Sequence, residues 1–412
     1  MRKILIITWN YPYYPGEQFL ETEIRFWGNN KEVLVTLLPS NTRGKPRKIP
    51  RNIKLIKIFD RRFDLLFSIL QVFFSKFLYI EIKSLIQEKK ININNLISLF
   101  YSVLKTEFFR NKLENWIHKN GVIDTVYTYW SSEQTYAACI LKSKGLTKSV
   151  ITRTHGYDIY EERRKNNYMP LKRQFLPLID KIYVLSDQAR LYLKCRYQIQ
   201  ENKVDTQRLG VHVSREISDS TKANEFHLVS VSSITHVKRI DRIIDSLELF
   251  IIKNKKINCV WNHIGSGILE EKIKEYSFSK LKYYKNLEVN FLGEISNDEV
   301  REFYTSNKVD LFVNVSEAEG TPVSIMEAMS MGIPAMGPNI GGISELITNQ
   351  SGYLLPKDPT VQEIHEGLER MLFLSKQKNI RFNAKKLIEE KFSAEKNYEN
   401  FIQEIISKNL IL

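Results

Sequence analysis

The chain has 412 residues, 43% hydrophobic and 26% charged, an ordinary globular composition whose length points to two cores rather than one. Its three cysteines, Cys139, Cys195 and Cys259, are far apart and lack metal-ligand spacing. They exclude a disulfide scaffold or zinc cluster and fit reduced thiols in a reducing compartment. The formal charge of +14 is lopsided: residues 1–220 carry 37 Lys and Arg against 21 Asp and Glu, and residues 221–412 carry 24 against 26. A basic half attracts polyanions, either nucleic acid or an anionic membrane surface, although lysine-rich codon usage produces the same count.

Arg2 and Lys3 imitate the start of a signal peptide, but the apolar run Ile4 to Ile7 is shorter than the ~7–15 residues such a segment needs. It reads as a first buried strand, with no export. Further strands are predicted at 32–38, 54–59, 125–129, 149–154 and 181–185, separated by helical patterns such as 17–27 and 187–196. The segment 63–80 (FDLLFSILQVFFSKFLYI) is almost wholly apolar, yet Asp64 and Lys76 interrupt it and it falls short of the ~20 residues of a membrane span. Arg61, Arg62, Lys83, Lys89 and Lys90 flank it, so it suits either a helix lying in an anionic membrane interface or a buried helix of the first domain. Residues 214–224 (SREISDSTKAN) are polar and aperiodic and read as an interdomain linker. Strands are then predicted at 226–231, 256–263, 287–291, 310–315 and 333–336, with helices near 240–253, 267–276 and 321–331. Strands alternating with helices imply α/β domains with doubly wound parallel sheets, whose ligands bind beyond the carboxyl ends of the strands. The expected domains are 1–215 and 216–392, and the helical tail, about 393–412, can pack back on the first.

The most informative stretch is 313–346, VNVSEAEGTPVSIMEAMSMGIPAMGPNIGGISEL. A strand ends at Ser316, a short loop carries Glu319 and Gly320, and Pro322 takes the favoured first position of a helix that Gly332 and Pro334 stop. The helix start at Thr321, Pro322 and Val323 offers N–H groups and a positive dipole end to a phosphate. Glu327, farther along the helix, is placed to accept hydrogen bonds from a vicinal diol such as a ribose. Glu319 sits nearer the phosphate end. The pair suits a nucleotide sugar. Gly341, Gly342 and Glu345 form a second tight turn followed by an acid.

This stretch resembles the signature of the retaining enzymes of glycosyltransferase family 4, which have the GT-B architecture: two Rossmann-like domains facing a central cleft. The resemblance implies that Glu327 binds the donor ribose, that Glu319 lies beside the transferred sugar, and that the backbone of Gly320 to Val323 holds the sugar and distal phosphate. Residues 1–215 would then take the acceptor and 216–392 the donor. Lys238, in VSVSSITHVKRID, matches the lysine that the family places on the diphosphate. Ser233 departs from the family, which often has arginine there; Arg239 is a candidate substitute. Gly265 in HIGSG resembles the family's glycine turn toward the nucleotide, and a plain strand-to-helix turn is an equal reading. Gly16 lies where relatives bring a glycine loop toward the donor phosphates. ITRTHGYDIY at 151–160 resembles the family's T-x-H-G-x-D segment, which implies that His155 stands near the reacting sugar and that Tyr157 and Asp158 lie on the acceptor side; a purely structural histidine is the alternative.

The function so implied is retaining transfer of a hexosyl unit from a UDP- or GDP-sugar to a glycan or lipid-linked acceptor of bacterial surface polysaccharide. Lys238, Glu319 and His155 are the expected catalytic residues. Neither metal nor cofactor is expected, because a lysine and a helix N-terminus can neutralise the leaving diphosphate and no Asp-x-Asp stands in a plausible metal site. The expected location is cytoplasmic, with peripheral contact to anionic membrane through 61–90. Two other readings remain: a sugar-nucleotide epimerase or hydrolase of the same fold, and a basic nucleic-acid-binding protein, for which the sequence contains no recognised module.

Overall fold

A computed structural model describes residues 1–14, 16–59 and 64–407, the side chains of 64–67 excepted. Its contacts divide the chain into two compact units, residues 1–207 with 398–412, and residues 208–397.

The first unit is built on seven strands: β1 (Arg2–Thr8), β2 (Val33–Pro39), β3 (Lys54–Leu55), β4 (Ile123–Thr128), β5 (Thr147–Thr154), β6 (Lys181–Val184) and β7 (Val204–Thr206). They lie in the order β3-β2-β1-β4-β5-β6-β7, and every pairing is parallel. Alternate residues of β1 enter opposite cores: Leu5 and Ile7 join one, Ile4 and Ile6 the other. A sheet buried on both faces explains why β1 reads as an unbroken apolar run. The core beneath Ile4 and Ile6 includes Phe401, Ile402 and Ile405 from the helix Ala394–Ser407. There the guanidinium of Arg153 lies 4.4 Å from the Phe401 ring centroid and 3.1 Å from the Glu23 carboxylate, with both charged side chains fully buried. The sequence predicts a six-residue strand at 54–59; only Lys54–Leu55 forms a strand, at the edge of the sheet, and the Ile56 N–H adds one more bond to the Leu37 carbonyl at 3.0 Å.

The second unit has six parallel strands: β8 (Glu225–Val231), β9 (Asn258–Ile264), β10 (Leu287–Phe291), β11 (Leu311–Val313), β12 (Ala335–Pro338) and β13 (Gly352–Leu355), ordered β10-β9-β8-β11-β12-β13. Trp261, Phe226, Leu311 and Val313 centre its core. The stretch predicted as a linker, 214–224, is part of this unit. Ser218 is buried and donates to the Asn307 carbonyl at 3.0 Å, and Thr221 donates to Asp310 at 2.6 Å. A polar segment reads as linker in sequence because its satisfying partners are about ninety residues away.

In each sheet the chain winds outward from a central pair, β1 beside β4 and β8 beside β11. The carboxyl edge between the strands of such a pair is the place where doubly wound sheets take ligands. Among the described residues no helix is long and apolar enough to cross a membrane. Arg61, Arg62 and Phe63 lie outside the described residues.

Candidate functional site

In the second unit, the loop after β8 and the loop after β11 bring the predicted residues together. Lys238 closes a short 3-10 turn, His236–Lys238, and donates from Nζ to Oε1 of Glu319 at 2.6 Å. Asn314, the first residue past β11, donates to the same oxygen at 3.2 Å and accepts the Ser316 N–H at 2.9 Å. The Glu317 N–H bonds the Val237 carbonyl at 2.8 Å, which ties the two loops by their backbones. Lys238 and Glu319 are largely but not wholly buried, so their ion pair keeps a face open to a ligand.

Glycines set this geometry. Gly341 has φ +52°, and a Cβ there would sit 2.2 Å from the Glu319 carbonyl oxygen; the Gly342 N–H bonds the Gly320 carbonyl at 2.6 Å. The Gly-Gly turn is thus the floor on which the Glu319–Gly320 loop rests. Gly265 does the same for the other loop, with φ +137° and a notional Cβ 1.9 Å from the Ser232 carbonyl. Its role in the fold is close backbone approach.

The helix after the loop is Val323–Ser330. Pro322 is its N-cap, in extended conformation, one position earlier than the sequence suggests, and no side chain caps the helix. The first-turn N–H groups therefore point beyond the helix end without a capping oxygen. Thr321 and Pro322 are buried. Glu327 is half-buried in the second turn, and burial pushes its carboxyl up to about 7, opposed by the charge of Arg301. The buried Tyr304 lies close enough for its hydroxyl to feel the Glu327 charge. Ser233 is exposed. The guanidinium of Arg239, the candidate substitute, is bound to Asp358 at 2.6 Å and to Glu317 at 3.3 Å. Glu345 pairs with Arg208 at 2.7 Å. Sequence reasoning missed Asn314, whose signal was its place immediately after an apolar strand.

In the first unit, the loops after β1 and β4 wall a cavity of about 830 Å³. Glu17, next to Gly16, organises the first loop: its carboxylate accepts the N–H groups of Trp9, Asn10 and Tyr11 at 3.1, 2.5 and 2.6 Å and the Trp130 indole at 2.5 Å. His155 follows β5 with its ring against Trp130, Tyr129 and Phe19, centroids 4.3, 4.9 and 5.7 Å away, and both ring nitrogens are shielded from solvent. Burial, reinforced by Arg153, depresses the imidazole to about 3, so it is neutral at ordinary pH. Asp158 is buried; it accepts the N–H groups of His155 and Ser131 at 2.5 and 2.7 Å, and burial holds its carboxyl above the ordinary value. Both of its oxygens serve the backbone. Tyr157 is exposed under the Arg164 guanidinium, 3.3 Å from the ring centroid. Buried Lys172 donates to the Ser131 carbonyl and hydroxyl at 2.6 and 2.9 Å, and burial lowers its ammonium to about 8. Neither Lys172 nor the cavity was visible in the sequence. Among the described residues no three His, Cys, Asp or Glu side chains gather as a metal site would require.

Residues 214–387 match the family model described as glycosyl transferases group 1. The chain is similar to the O-antigen biosynthesis glycosyltransferase WbnH of Escherichia coli, 26% identical over 200 residues that cover 47% of this chain and 52% of that one. The chain spans about half the length of the curated relatives it matches. Among solved structures it is similar to the lipopolysaccharide outer core galactosyltransferase WaaB in its apo form, with TM-score 0.71, 16% identity and coverage of 98% of this chain and 99% of that one. It is also similar to Anabaena HepE in complex with UDP and glucose, with TM-score 0.66, 13% identity and coverage of 99% and 100%. The fold is GT-B.

Proposed function

We propose that this chain is a retaining, metal-independent glycosyltransferase that moves a hexosyl unit from a UDP- or GDP-sugar to a glycan or lipid-linked acceptor of bacterial surface polysaccharide. The observation that carries the proposal is the convergence of Lys238, Glu319 and the uncapped start of Val323–Ser330 at the carboxyl ends of β8 and β11, within the residues that match the group 1 glycosyltransferase model. Breaking the bond from C1 to the phosphate oxygen leaves negative charge on a nucleoside diphosphate. An ammonium and first-turn N–H groups neutralise that charge without reorganising. On this reading the Glu319 contact to Lys238 is the resting arrangement: the arriving diphosphate takes over the ammonium, and the released carboxylate turns to the sugar hydroxyls. Glu327 grips the ribose diol. His155, neutral and with both ring nitrogens shielded, acts by position: its ring backs Trp130, which lines the cavity of the first unit where the acceptor is taken. The similarity to WbnH of O-antigen biosynthesis and to the outer core galactosyltransferase WaaB supports surface-glycan chemistry, and the UDP and glucose bound to HepE support a UDP-sugar.

The test is turnover followed by proton NMR with UDP- and GDP-hexoses and an acceptor extract, with and without EDTA. The proposal expects a product linkage of the donor's anomeric configuration, formed at the same rate in EDTA. Inversion at C1 would contradict retention, abolition by EDTA would contradict metal independence, and conversion of the sugar nucleotide with no acceptor present would favour the epimerase or hydrolase reading.

A further inference from the structure

The cavity of the first unit is lined by five basic side chains, Lys105, Arg163, Arg164, Lys165 and Lys172, against three acids. Its three acids are engaged inside the protein: Glu17 and Asp158 by backbone N–H groups, and Glu133 by the Ser102 hydroxyl at 3.1 Å. Lys105, by contrast, has no carboxylate partner among the described residues. Its ammonium is held over the rings of Tyr101 and Trp9, 4.4 and 5.2 Å from their centroids. Lys165 lines the same cavity, exposed and likewise without a carboxylate among the described residues. Such a wall attracts an anion, and the aromatic faces of Trp9, Tyr101 and Trp130 suit the apolar faces of sugar rings.

The cavity is also joined to an apolar track. Tyr101 and Lys105 stand on the helix Ile93–Asn120. Ile93, Ile97 and Tyr101 repeat every fourth residue, so they form one stripe that runs along the helix to the cavity mouth at Lys105. All three are exposed, by 70%, 61% and 55%. Exposed Phe73 widens the stripe by resting against Phe100, 5.8 Å between centroids. On the preceding helix, Lys76–Gln87, Lys76 and Lys83 are exposed beside Tyr79 and Ile80. Contiguous exposed apolar side chains of this kind mark a binding surface, and the lysines around them match anionic headgroups.

We infer that the cavity binds a membrane-presented amphiphile with a phosphate or pyrophosphate head: Lys105 holds the phosphate and the Ile93–Ile97–Tyr101 stripe carries the first part of the hydrocarbon chain. This deepens the transferase reading by naming the acceptor class, and it rests on that reading for the acceptor's role. A soluble sugar phosphate would use the cavity and leave the stripe idle. A neutral glycolipid would use the stripe and leave Lys105 idle.

The experiment follows tryptophan fluorescence, since Trp9 and Trp130 line the cavity. The full chain is titrated with decyl phosphate, decanol and inorganic phosphate, all kept as monomers. Decyl phosphate is expected to bind at least about tenfold tighter than either fragment, because several methylenes leave water. Lys105→Gln should bring it to the level of decanol, and Ile93→Ser with Ile97→Ser to the level of inorganic phosphate. The exposure of both isoleucines keeps the second variant folded, as a thermal melt checks. Equal binding of decyl phosphate and either fragment, or indifference to both variants, overturns the inference. UDP and GDP titrated into the same samples separate the failures: retained nucleotide binding with no preference for decyl phosphate removes only this inference, and absent nucleotide binding removes the transferase reading as well.

Discussion

Glu327 is where chemistry and protonation meet most closely. Burial raises its carboxyl from 4.5 to about 7. Between those values the folded chain holds a proton that the unfolded chain releases, so this group's contribution to stability is full below 4.5 and is lost as pH rises through about 7. Ligand binding runs the other way, since an ionised carboxylate accepts hydrogen bonds from a diol more strongly than an acid does. Affinity for UDP or GDP, measured by calorimetry between about pH 6 and 8, should therefore fall as pH drops through about 7, and Glu327→Gln should flatten that profile. A wild-type profile that matches the glutamine variant's would contradict the assigned role. The place of Glu327 on the helix after β11 was readable from sequence because Pro322 and Gly332 mark that helix's two ends. Lys105 and Lys172 were not, because their surroundings are assembled from loops and helices distant in the chain.

The turns around Lys238 and Glu319 matter as much as the charged groups they carry. Gly341→Ala forces a side chain into the left-handed region, at about 1–2 kcal/mol, and drives its Cβ into the Glu319 carbonyl. The expected result is a lower melting temperature together with weaker nucleotide binding, because the displaced loop carries Glu319 away from Lys238. A stable variant with unchanged binding would show that the glycine floor does not set the site. Strand ends and glycine turns were legible because each is a local rule: an apolar run, then Asn, Gly or Pro. The short strands β7 and β13 escaped, since three or four residues carry too little pattern. The long helix Ile93–Asn120 escaped because apolar residues lie both on its core face, such as Leu99 and Leu113, and on its exposed stripe, which blurs any single period.

The two halves of the chain differ in charge, with the basic excess confined to residues 1–220. Two doubly wound sheets followed from the alternation of strands and helices. The first unit's recruitment of residues 398–407 was open to sequence only as a helical tail, because the fully buried Arg153 and Glu23 that frame its seat with Tyr398 and Phe401 look like ordinary surface charges in the chain. The account as a whole depends on the second unit holding a nucleoside diphosphate with Lys238 at its phosphates and Glu327 at its ribose. Calorimetric titration of UDP and GDP into the wild type and Glu327→Ala tests this most directly. Binding of one nucleotide, weakened by roughly 1–3 kcal/mol in the variant, is the predicted result. Equal affinity in both proteins, or no binding of either nucleotide to the wild type, would contradict it.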